Sequence, residues 1–380
     1  MPISEEVISQ LNHIRGDKNE IEQVVIENCV GFTRVPVGIA GPLYVKNIDD
    51  ANTDGLFYAP LATCEGTLVA SCARGCKAFN LSGGVQFKIL HEAMSRDPVF
   101  WFTNTEEAVR FFDWIPNLEP QFRRDTESTS RHLQLQRLSP QIVGSTVHVL
   151  FEYHCGNATG QNMATIATQH ACNKFQASSL AKQFNLQNIT IVGQSGSDKS
   201  LSWGNVMRTR GVKVLAWGVI SDSACQEVLK CTTEHLYKVL LNGKEGAHRN
   251  GQLGYNVNMC NVIAAMFIAC GQDAASVAEA SGNHLTVERD ANTKDLKLSC
   301  LFPSLPVGTV GGGTAYPTQR EALELLQCTG PGSKNRLAGF IAAFSLALDV
   351  SSSAAVATGG FAKSHQTYGR RPQNVAQTKL

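Results

Sequence analysis

Residues 337–362 form the longest apolar stretch of the chain, and they constrain its fold more than any other feature. The stretch is long enough to cross a membrane, yet it contains Asp349 and the serine run Ser351–Ser353. A carboxylate and several hydroxyls are costly in lipid, whereas small residues let a helix pack closely against its neighbours. We therefore predict a closely packed internal helix and no membrane span in this chain.

The composition is typical of a globular protein. Hydrophobic residues make up 43% of the 380 residues and charged residues 17%, which argues against long disordered segments. The formal net charge of +1 gives no bulk electrostatic reason to expect a nucleic-acid partner. The first 19 residues lack the apolar core of a signal peptide. We expect a soluble, cytoplasmic chain, with a membrane-anchored parent left open.

The twelve cysteines are dispersed and include no Cys-x-x-Cys pair. A zinc site needs further ligands at matching spacing, so we predict no metal and expect reduced thiols.

Residues 98–190 alternate between helix and strand patterns, which is typical of a small α+β domain inserted into a larger one. Within this stretch, the patterns predict helices over residues 106–114 and 163–184 and a strand over 143–153. Further along the chain, residues 259–280 read as a single helix. The predicted organisation is an N-terminal helical arm (1–28), a large domain (29–97 and 191–358), the inserted small domain (98–190) and a mobile tail (359–380).

Four short segments each place one ionisable residue among glycines or other small residues. These residues are Glu65 in segment 62–66, Lys199 in 196–199, Asp273 in 269–275 and His365 in 362–365. Together a carboxylic acid, an ammonium, a second carboxylate and an imidazole can polarise a carbonyl, move protons and neutralise a leaving group.

Each of these residues also has a structural interpretation. Glu65 could stabilise the first turn of a helix, Lys199 could be an exposed linker residue, and His365 could be a surface residue of the tail. A buried Asp is costly unless it is paired, so we expect Asp273 to have a partner such as Lys199.

Two further segments have chemistry that suits a phosphate. Residues 127–131 place hydroxyls next to the guanidinium of Arg131, although a solvated charged loop would look the same. Residues 156–163 combine glycines with the start of a long helix, whose backbone N–H groups could face an anion. This segment is not a Gly-x-Gly-x-x-Gly fingerprint, so a simple turn before a helix stays open.

Taken in order, these motifs resemble the catalytic portion of class I hydroxymethylglutaryl-CoA (HMG-CoA) reductases. The resemblance covers nearly the whole chain. The segments that carry it are residues 27–32, 35–43, 65–75, 254–256, 271–275, 308–314 and 363–365.

The resemblance implies an α/β (α+β) fold. A large α/β domain would surround a long central helix, and a small inserted ferredoxin-like domain would bind NADP(H). It also implies a homodimer, or a homotetramer of paired dimers, with active sites shared between subunits. The implied reaction is the NADPH-dependent reduction of the acyl-CoA substrate HMG-CoA to mevalonate, with release of CoA, in isoprenoid biosynthesis.

The resemblance further implies a role for each candidate residue. Lys199 would stabilise the oxyanion, Glu65 would protonate the aldehyde oxygen, and Asp273 would tune both. His365 would protonate the departing thiolate. The residues implied to bind NADPH are Ser130, Arg131, Asn157, Thr159, Gly160 and Asn162, and those implied to bind substrate are Arg96, Asn261 and Ser200.

The chain departs from the family pattern mainly around the free carboxylate of the substrate. The departing positions are Ser200 for a lysine, Val192 and Gln194 for a serine and an asparagine, Leu241 for a lysine with Lys244 nearby, Asn258 for a histidine, and Asn157 for an aspartate near the cofactor. Each lost charged hydrogen bond costs about 1.5–3 kcal/mol of binding. Three alternatives therefore stay open: a paralogue that reduces another acyl thioester or aldehyde, a non-reductive use of the pocket, and a nucleotide-binding pseudoenzyme.

Overall fold

The computed structural model of the chain describes residues 8–51, 54–362 and 366. Its strands are β1 (Val37–Asn47), β2 (Gly55–Ala62), β3 (Val85–Arg96), β4 (Val99–Trp101), β5 (Gln134–Val143), β6 (Thr146–His154), β7 (Asn188–Thr190), β8 (Gly211–Ile220), β9 (His284–Arg289) and β10 (Leu296–Leu305).

The helices are interspersed with these strands along the chain. They are α1 (Lys18–Ile21), α2 (Leu68–Asn80), α3 (Thr105–Glu127), α4 (Gln161–Gln176), α5 (Ser179–Gln183), α6 (Trp203–Met207), α7 (Asp222–Ala224, continued by a π-helix over Cys225–Leu229), α8 (Thr233–Arg249), α9 (Met259–Ala269), α10 (Val277–Ala280), α11 (Pro317–Leu325) and α12 (Ser333–Ala357). Short 3₁₀ turns lie at Ala274–Ser276 and Gly312–Ala315.

Strand β3 connects two groups of strands. Residues Val85–Ala93 pair antiparallel with β8, and Met94–Arg96 pair antiparallel with β6. The order across the sheet is β7-β4-β6-β3-β8-β10-β9, with β1 added parallel to β3, β2 on β1, and β5 on β6. This continuous strand carries Arg96 to the junction between the two groups.

The buried apolar side chains form two clusters, one on each side of this junction. The larger one surrounds α12 and includes residues of α2, α9 and the strands β1, β2, β8 and β10. The smaller one runs from Met94 to Phe184 and contains a group of phenylalanines, with the rings of Phe100 and Phe111 centred 4.9 Å apart. The predicted insertion at residues 98–190 overlaps the smaller cluster, and its bounds as a domain stay a prediction.

Helix α12 is the predicted apolar helix, and it lies inside the protein. By length and composition it could span a membrane, but 89% of its most apolar window is buried within the fold. Helix α2 packs directly against it: Ser71 Oγ lies 3.0 Å from Ser351 Oγ, and Arg74 donates to the carbonyl of Ser351. The expected internal helix is therefore confirmed.

The single helix predicted over residues 259–280 is wrong. Helix α9 ends at Ala269, and the chain turns through Gly271, whose φ of +69° favours glycine, before the 3₁₀ turn and α10. Asp273 therefore lies in a turn between helices, not within a helix. Its own side chain accepts the backbone N–H of Ala275 at 3.0 Å and begins the 3₁₀ turn.

Three other predicted boundaries also differ. Helix α3 continues to Glu127 through Pro116 and Pro120, because the buried Phe111, Ile115, Leu118 and Phe122 anchor one face. The helix predicted over residues 163–184 is two helices, α4 and α5, separated at Ala177 and Ser178. The strand predicted over 143–153 is the second half of the β5–β6 hairpin.

Candidate active site

Lys199 and Asp273 form an ion pair at the surface of this chain. The distance from Lys199 Nζ to Asp273 Oδ2 is 2.9 Å, and the two side chains are 47% and 40% exposed. The hydrogen bond that Lys199 donates to Asp273 raises the pKa of Lys199, so the ammonium is the form present at neutral pH. The pairing expected from the sequence is present, but the expectation that Asp273 is buried is wrong.

The turn that contains Gln272 and Asp273, here named the acidic turn, is joined to the glycine loop, residues 308–314. The side chain of Gln272 accepts the N–H of Gly308 at 2.8 Å and donates to its carbonyl at 2.9 Å. The glycine loop in turn contacts the segment before α4. Thr309 N–H donates to Asn157 O at 2.8 Å, and Ala158 forms a parallel bridge with Val310.

The candidate nucleotide residues lie around this segment and the start of α4. Gly160 caps the N-terminus of α4 with a φ of +91°, and Thr159 and Asn162 flank that terminus. Ser130 Oγ lies 3.7 Å from Met163 Sδ in the first turn of α4, so the loop after α3 is next to the start of α4. The fold thus brings together the two segments whose chemistry suits a phosphate.

Two of these residues have further local contacts. Arg131 is exposed, and its Nε lies 3.0 Å from Nε2 of the adjacent His132. Asn157 donates through Nδ2 to the carbonyl of Gly330 at 2.9 Å. The guanidinium of Arg131 therefore faces solvent, where it can meet an anion.

The candidate substrate residues are less closely grouped. Arg96 is buried and contacts Asp198, the residue before Lys199, with a nitrogen–oxygen distance of 3.0 Å. Ser200 is exposed, and its hydroxyl donates to Asp198 O at 3.3 Å. Asn261 lies half-buried in the first turn of α9, the helix that leads to the acidic turn.

Glu65 lies apart from the ion pair. It is exposed in the loop before α2, and its N–H donates to Thr63 Oγ1 at 3.0 Å. Within the described residues, no hydrogen bond or ion pair joins it to Lys199 or Asp273. His365 lies outside the described residues.

Two buried charged residues beside Lys199 were not found from the sequence. Arg210 and Glu279 pair at 2.6 Å with side-chain exposures of 2% and 0%. The one available signal was a lone carboxylate in the small apolar run Val277–Ala280. Among the described residues, no group of three or more His, Cys, Asp or Glu side chains is placed to hold a metal ion.

On a mixed α/β fold, the chain thus places a carboxylate-paired lysine near loops whose chemistry suits an anion, and an ammonium so placed is a group that enzymes use to stabilise developing negative charge. A sequence model of the hydroxymethylglutaryl-coenzyme A reductase family matches residues 3–370. The chain belongs to that family.

Individual relatives agree with this assignment. The 3-hydroxy-3-methylglutaryl-coenzyme A reductase of Aeropyrum pernix is 39% identical over 351 residues, which cover 91% of this chain and 82% of that protein. The enzyme of Methanocaldococcus jannaschii is 34% identical, over 91% of this chain and 84% of its own length.

A solved structure has the same fold. The class II reductase of Streptococcus pneumoniae, determined with NADPH bound, superposes with a TM-score of 0.68 at 18% identity, over 93% of this chain and 83% of that one. The α/β fold expected from the sequence is confirmed.

Proposed function

We propose that this protein reduces HMG-CoA to mevalonate with two NADPH and releases CoA, as a step of isoprenoid biosynthesis. Membership of the reductase family supports the reaction. The observation that carries the proposal for this chain is the 2.9 Å ion pair between Lys199 and Asp273. It supplies a fixed positive charge where a thioester oxygen becomes an oxyanion.

The reaction requires negative charge on the same oxygen twice. Hydride addition to the thioester carbon produces a hemithioacetal oxyanion, which collapses to an aldehyde as the carbon–sulfur bond breaks. A second addition to the aldehyde gives the alkoxide of the product. NADPH supplies both hydrides when it is bound. The ammonium of Lys199 stabilises each oxyanion, and Asp273 keeps that ammonium protonated and oriented.

Two protons complete the balance. We assign to Glu65 the proton that the product alkoxide takes up, because its carboxyl group is exposed in the loop before α2 and can reach a bound substrate. We assign to His365 the proton that converts the CoA thiolate to a thiol. Both assignments derive from the family resemblance and stay proposals.

The surface around the N-terminus of α4 fits NADPH. Backbone N–H groups at a helix N-terminus favour a phosphate, and α4 begins after the left-handed Gly160. The adjacent loop offers the Ser130 hydroxyl and the exposed guanidinium of Arg131, which suit a 2′-phosphate. We propose that these residues, with Asn157, Thr159 and Asn162, bind NADPH.

We propose that the active site is completed by a second copy of the chain, in a homodimer or a pair of dimers. Lys199 and Asp273 are about half exposed, and Glu65 has no contact with them within the described residues. A partner that brought its Glu65 over Lys199 would exclude water and strengthen every charge interaction at the site.

Mixing two inactive variants tests the shared site. In a hybrid of a Lys199→Ala subunit and a Glu65→Gln subunit, one of the two active sites would combine an intact Lys199 with an intact Glu65. Random exchange should restore about a quarter of the wild-type rate. If each subunit carried a whole site, mixing would restore nothing.

The reaction itself is tested by its stoichiometry. NADPH oxidation, followed by absorbance, should consume two equivalents for each thiol released from HMG-CoA. Lys199→Ala should lower kcat by roughly 10²–10³-fold, as loss of an oxyanion donor does.

A second candidate, reduction of a different acyl thioester, is favoured by one feature. Val192 and Leu241 present partly exposed apolar side chains, 40% and 38% accessible, at positions where the family binds a carboxylate. Turnover of an acyl-CoA without a free carboxylate, together with none of HMG-CoA, would establish this candidate instead.

A further inference from the structure

A buried ion pair lies directly behind Lys199 and takes no part in the chemistry assigned above. Arg210 NH1 donates to both carboxylate oxygens of Glu279, at 2.7 and 2.6 Å, and neither side chain has appreciable access to solvent. Burying two charges is costly unless each is paired and its remaining polar atoms are hydrogen-bonded. The remaining contacts of Glu279 and Arg210 are with Lys199 and with the residue before it, Asp198.

Glu279 also holds the main chain of Lys199. Its Oε1 accepts the Lys199 N–H at 2.9 Å. Lys199 has a φ of +54°, a left-handed conformation that a residue with a side chain adopts infrequently and at some cost. The buried carboxylate therefore fixes the backbone of the proposed catalytic lysine in a conformation that the isolated loop would not favour.

Arg210 fixes the preceding residue. Its NH2 lies 3.0 Å from Asp198 Oδ1, while Arg96 NH1 lies 3.0 Å from Asp198 Oδ2. Arg96 continues the connection by donating from Nε to Thr165 Oγ1 of α4 at 2.8 Å. The charges alternate from α10 to α4, so the loop that carries Lys199 is tied to both groups of strands.

We propose that Glu279 is a positioning residue for Lys199, acting together with Arg210. Glu279 holds the Lys199 main chain and Arg210 holds the Asp198 side chain, so that Lys199 Nζ meets both Asp273 and the substrate oxygen. The inference rests on the proposed oxyanion role of Lys199. Misplacing a catalytic group by about 1 Å costs roughly 10²-fold in rate, so loss of this support should be visible in kcat.

The first test is Glu279→Gln. A glutamine is neutral, and its NH2 group must face either the Arg210 guanidinium or the Lys199 N–H, so it cannot preserve both contacts. We expect kcat to fall about 10–100-fold, with the KM for NADPH changed less than about threefold. Glu152→Gln is the matched control: its carboxylate is 4% exposed and pairs with Arg137 at 2.5 Å. Within the described residues it has no hydrogen bond or ion pair with Lys199, and the variant should retain the wild-type kcat.

A double variant separates positioning from charge balance. Arg210→Met with Glu279→Gln removes both charges, and a buried pair replaced by neutral groups usually regains stability. We expect the thermal midpoint to recover relative to Glu279→Gln, while kcat stays low because Asp198 has lost Arg210. Recovery of kcat together with the midpoint would overturn the inference, as would a folded Glu279→Gln enzyme with the wild-type kcat.

Chemical labelling of Lys199 supplies a readout that does not need reductase activity. The groups that face Lys199 are Asp273, Asp198 and Glu279, with Arg210 and Arg96 behind them. We expect an amine-acylating reagent, followed by mass spectrometry, to modify Lys199 several-fold faster in Glu279→Gln than in the wild type. An unchanged labelling rate would overturn the inference, whereas absence of wild-type reduction would overturn only the proposed function.

Discussion

The side-chain amide of Gln272 forms hydrogen bonds with both the N–H and the carbonyl of Gly308. Oε1 accepts the Gly308 N–H at 2.8 Å, and Nε2 donates to the Gly308 carbonyl at 2.9 Å. Gln272 directly precedes Asp273, so this contact couples the lysine–carboxylate pair to the glycine loop. Through Thr309 and Asn157, the coupling extends to the segment before α4.

Gln272→Ala should therefore impair both stability and catalysis. Removing the amide leaves the Gly308 backbone without two partners, which should lower the free energy of unfolding by about 1–3 kcal/mol. The loosened turn should reduce kcat roughly tenfold. Urea unfolding and steady-state kinetics check both effects. Gln169→Ala, which removes an exposed contact to Asn173, should change stability by less than about 0.5 kcal/mol. An equal effect of the two substitutions would contradict the prediction.

Gly75→Ala should destabilise the large core severely. A Cβ at Gly75 would lie 1.9 Å from the backbone oxygen of Ala347, so α2 and α12 would have to separate. We expect a loss of more than about 3 kcal/mol, measured by urea unfolding. Gly246→Ala in α8 is the control, because nothing lies within 4 Å of its Cβ. There the higher helix propensity of alanine should stabilise the protein by about 0.5–1 kcal/mol.

Asp349 should make stability depend on pH. Burial raises its pKa from 3.8 to about 6, although the N–H groups of Asn258 and Val257 at the start of α9 partly offset this effect. A raised folded-state pKa favours folding while the group is protonated. Its contribution is full below about pH 3.8 and is lost as the pH rises through about 6, a change of roughly 3 kcal/mol.

Asp349→Asn tests this dependence. The amide keeps an acceptor for the α9 N–H groups and does not ionise. Between pH 4 and 6, the free energy of unfolding of the variant should therefore rise relative to that of the wild type, as measured by urea unfolding at each pH. Parallel stability curves for the two proteins would show that Asp349 does not titrate in this range.

The sequence predicted the features that local chemistry determines. A long apolar segment rich in small residues and interrupted by Asp349 had to be internal, and α12 is. The pairing of Asp273 with Lys199 was also predicted, but from the assumption that Asp273 is buried, whereas its side chain is 40% exposed. The exposure of the two side chains could not be predicted, because solvent access depends on how their two loops project from the fold.

Other features could not be predicted because they depend on distant contacts. Arg210 and Glu279 are 69 residues apart, and no spacing or pattern in the sequence relates them. The break after Ala269 was missed because apolar residues continue through Cys270, while the turn is set by the conformation of Gly271. Helix α3 extends beyond residue 114, where it was predicted to end, because the packing of its phenylalanines outweighs the cost of two prolines inside the helix.

Arg131→Ala should change the choice of nicotinamide cofactor. Arg131 is exposed and follows Ser130, whose hydroxyl lies next to the first turn of α4. A charge-assisted hydrogen bond from its guanidinium to a phosphate contributes about 1.5–3 kcal/mol. The Kd for NADPH, measured by calorimetry, should rise about 10–100-fold, while the Kd for NADH changes little, because NADH lacks the 2′-phosphate. Arg124→Ala removes an exposed arginine of α3 and should affect neither. Equal weakening of NADPH and NADH by Arg131→Ala would mean that Arg131 supports the loop and does not bind the phosphate.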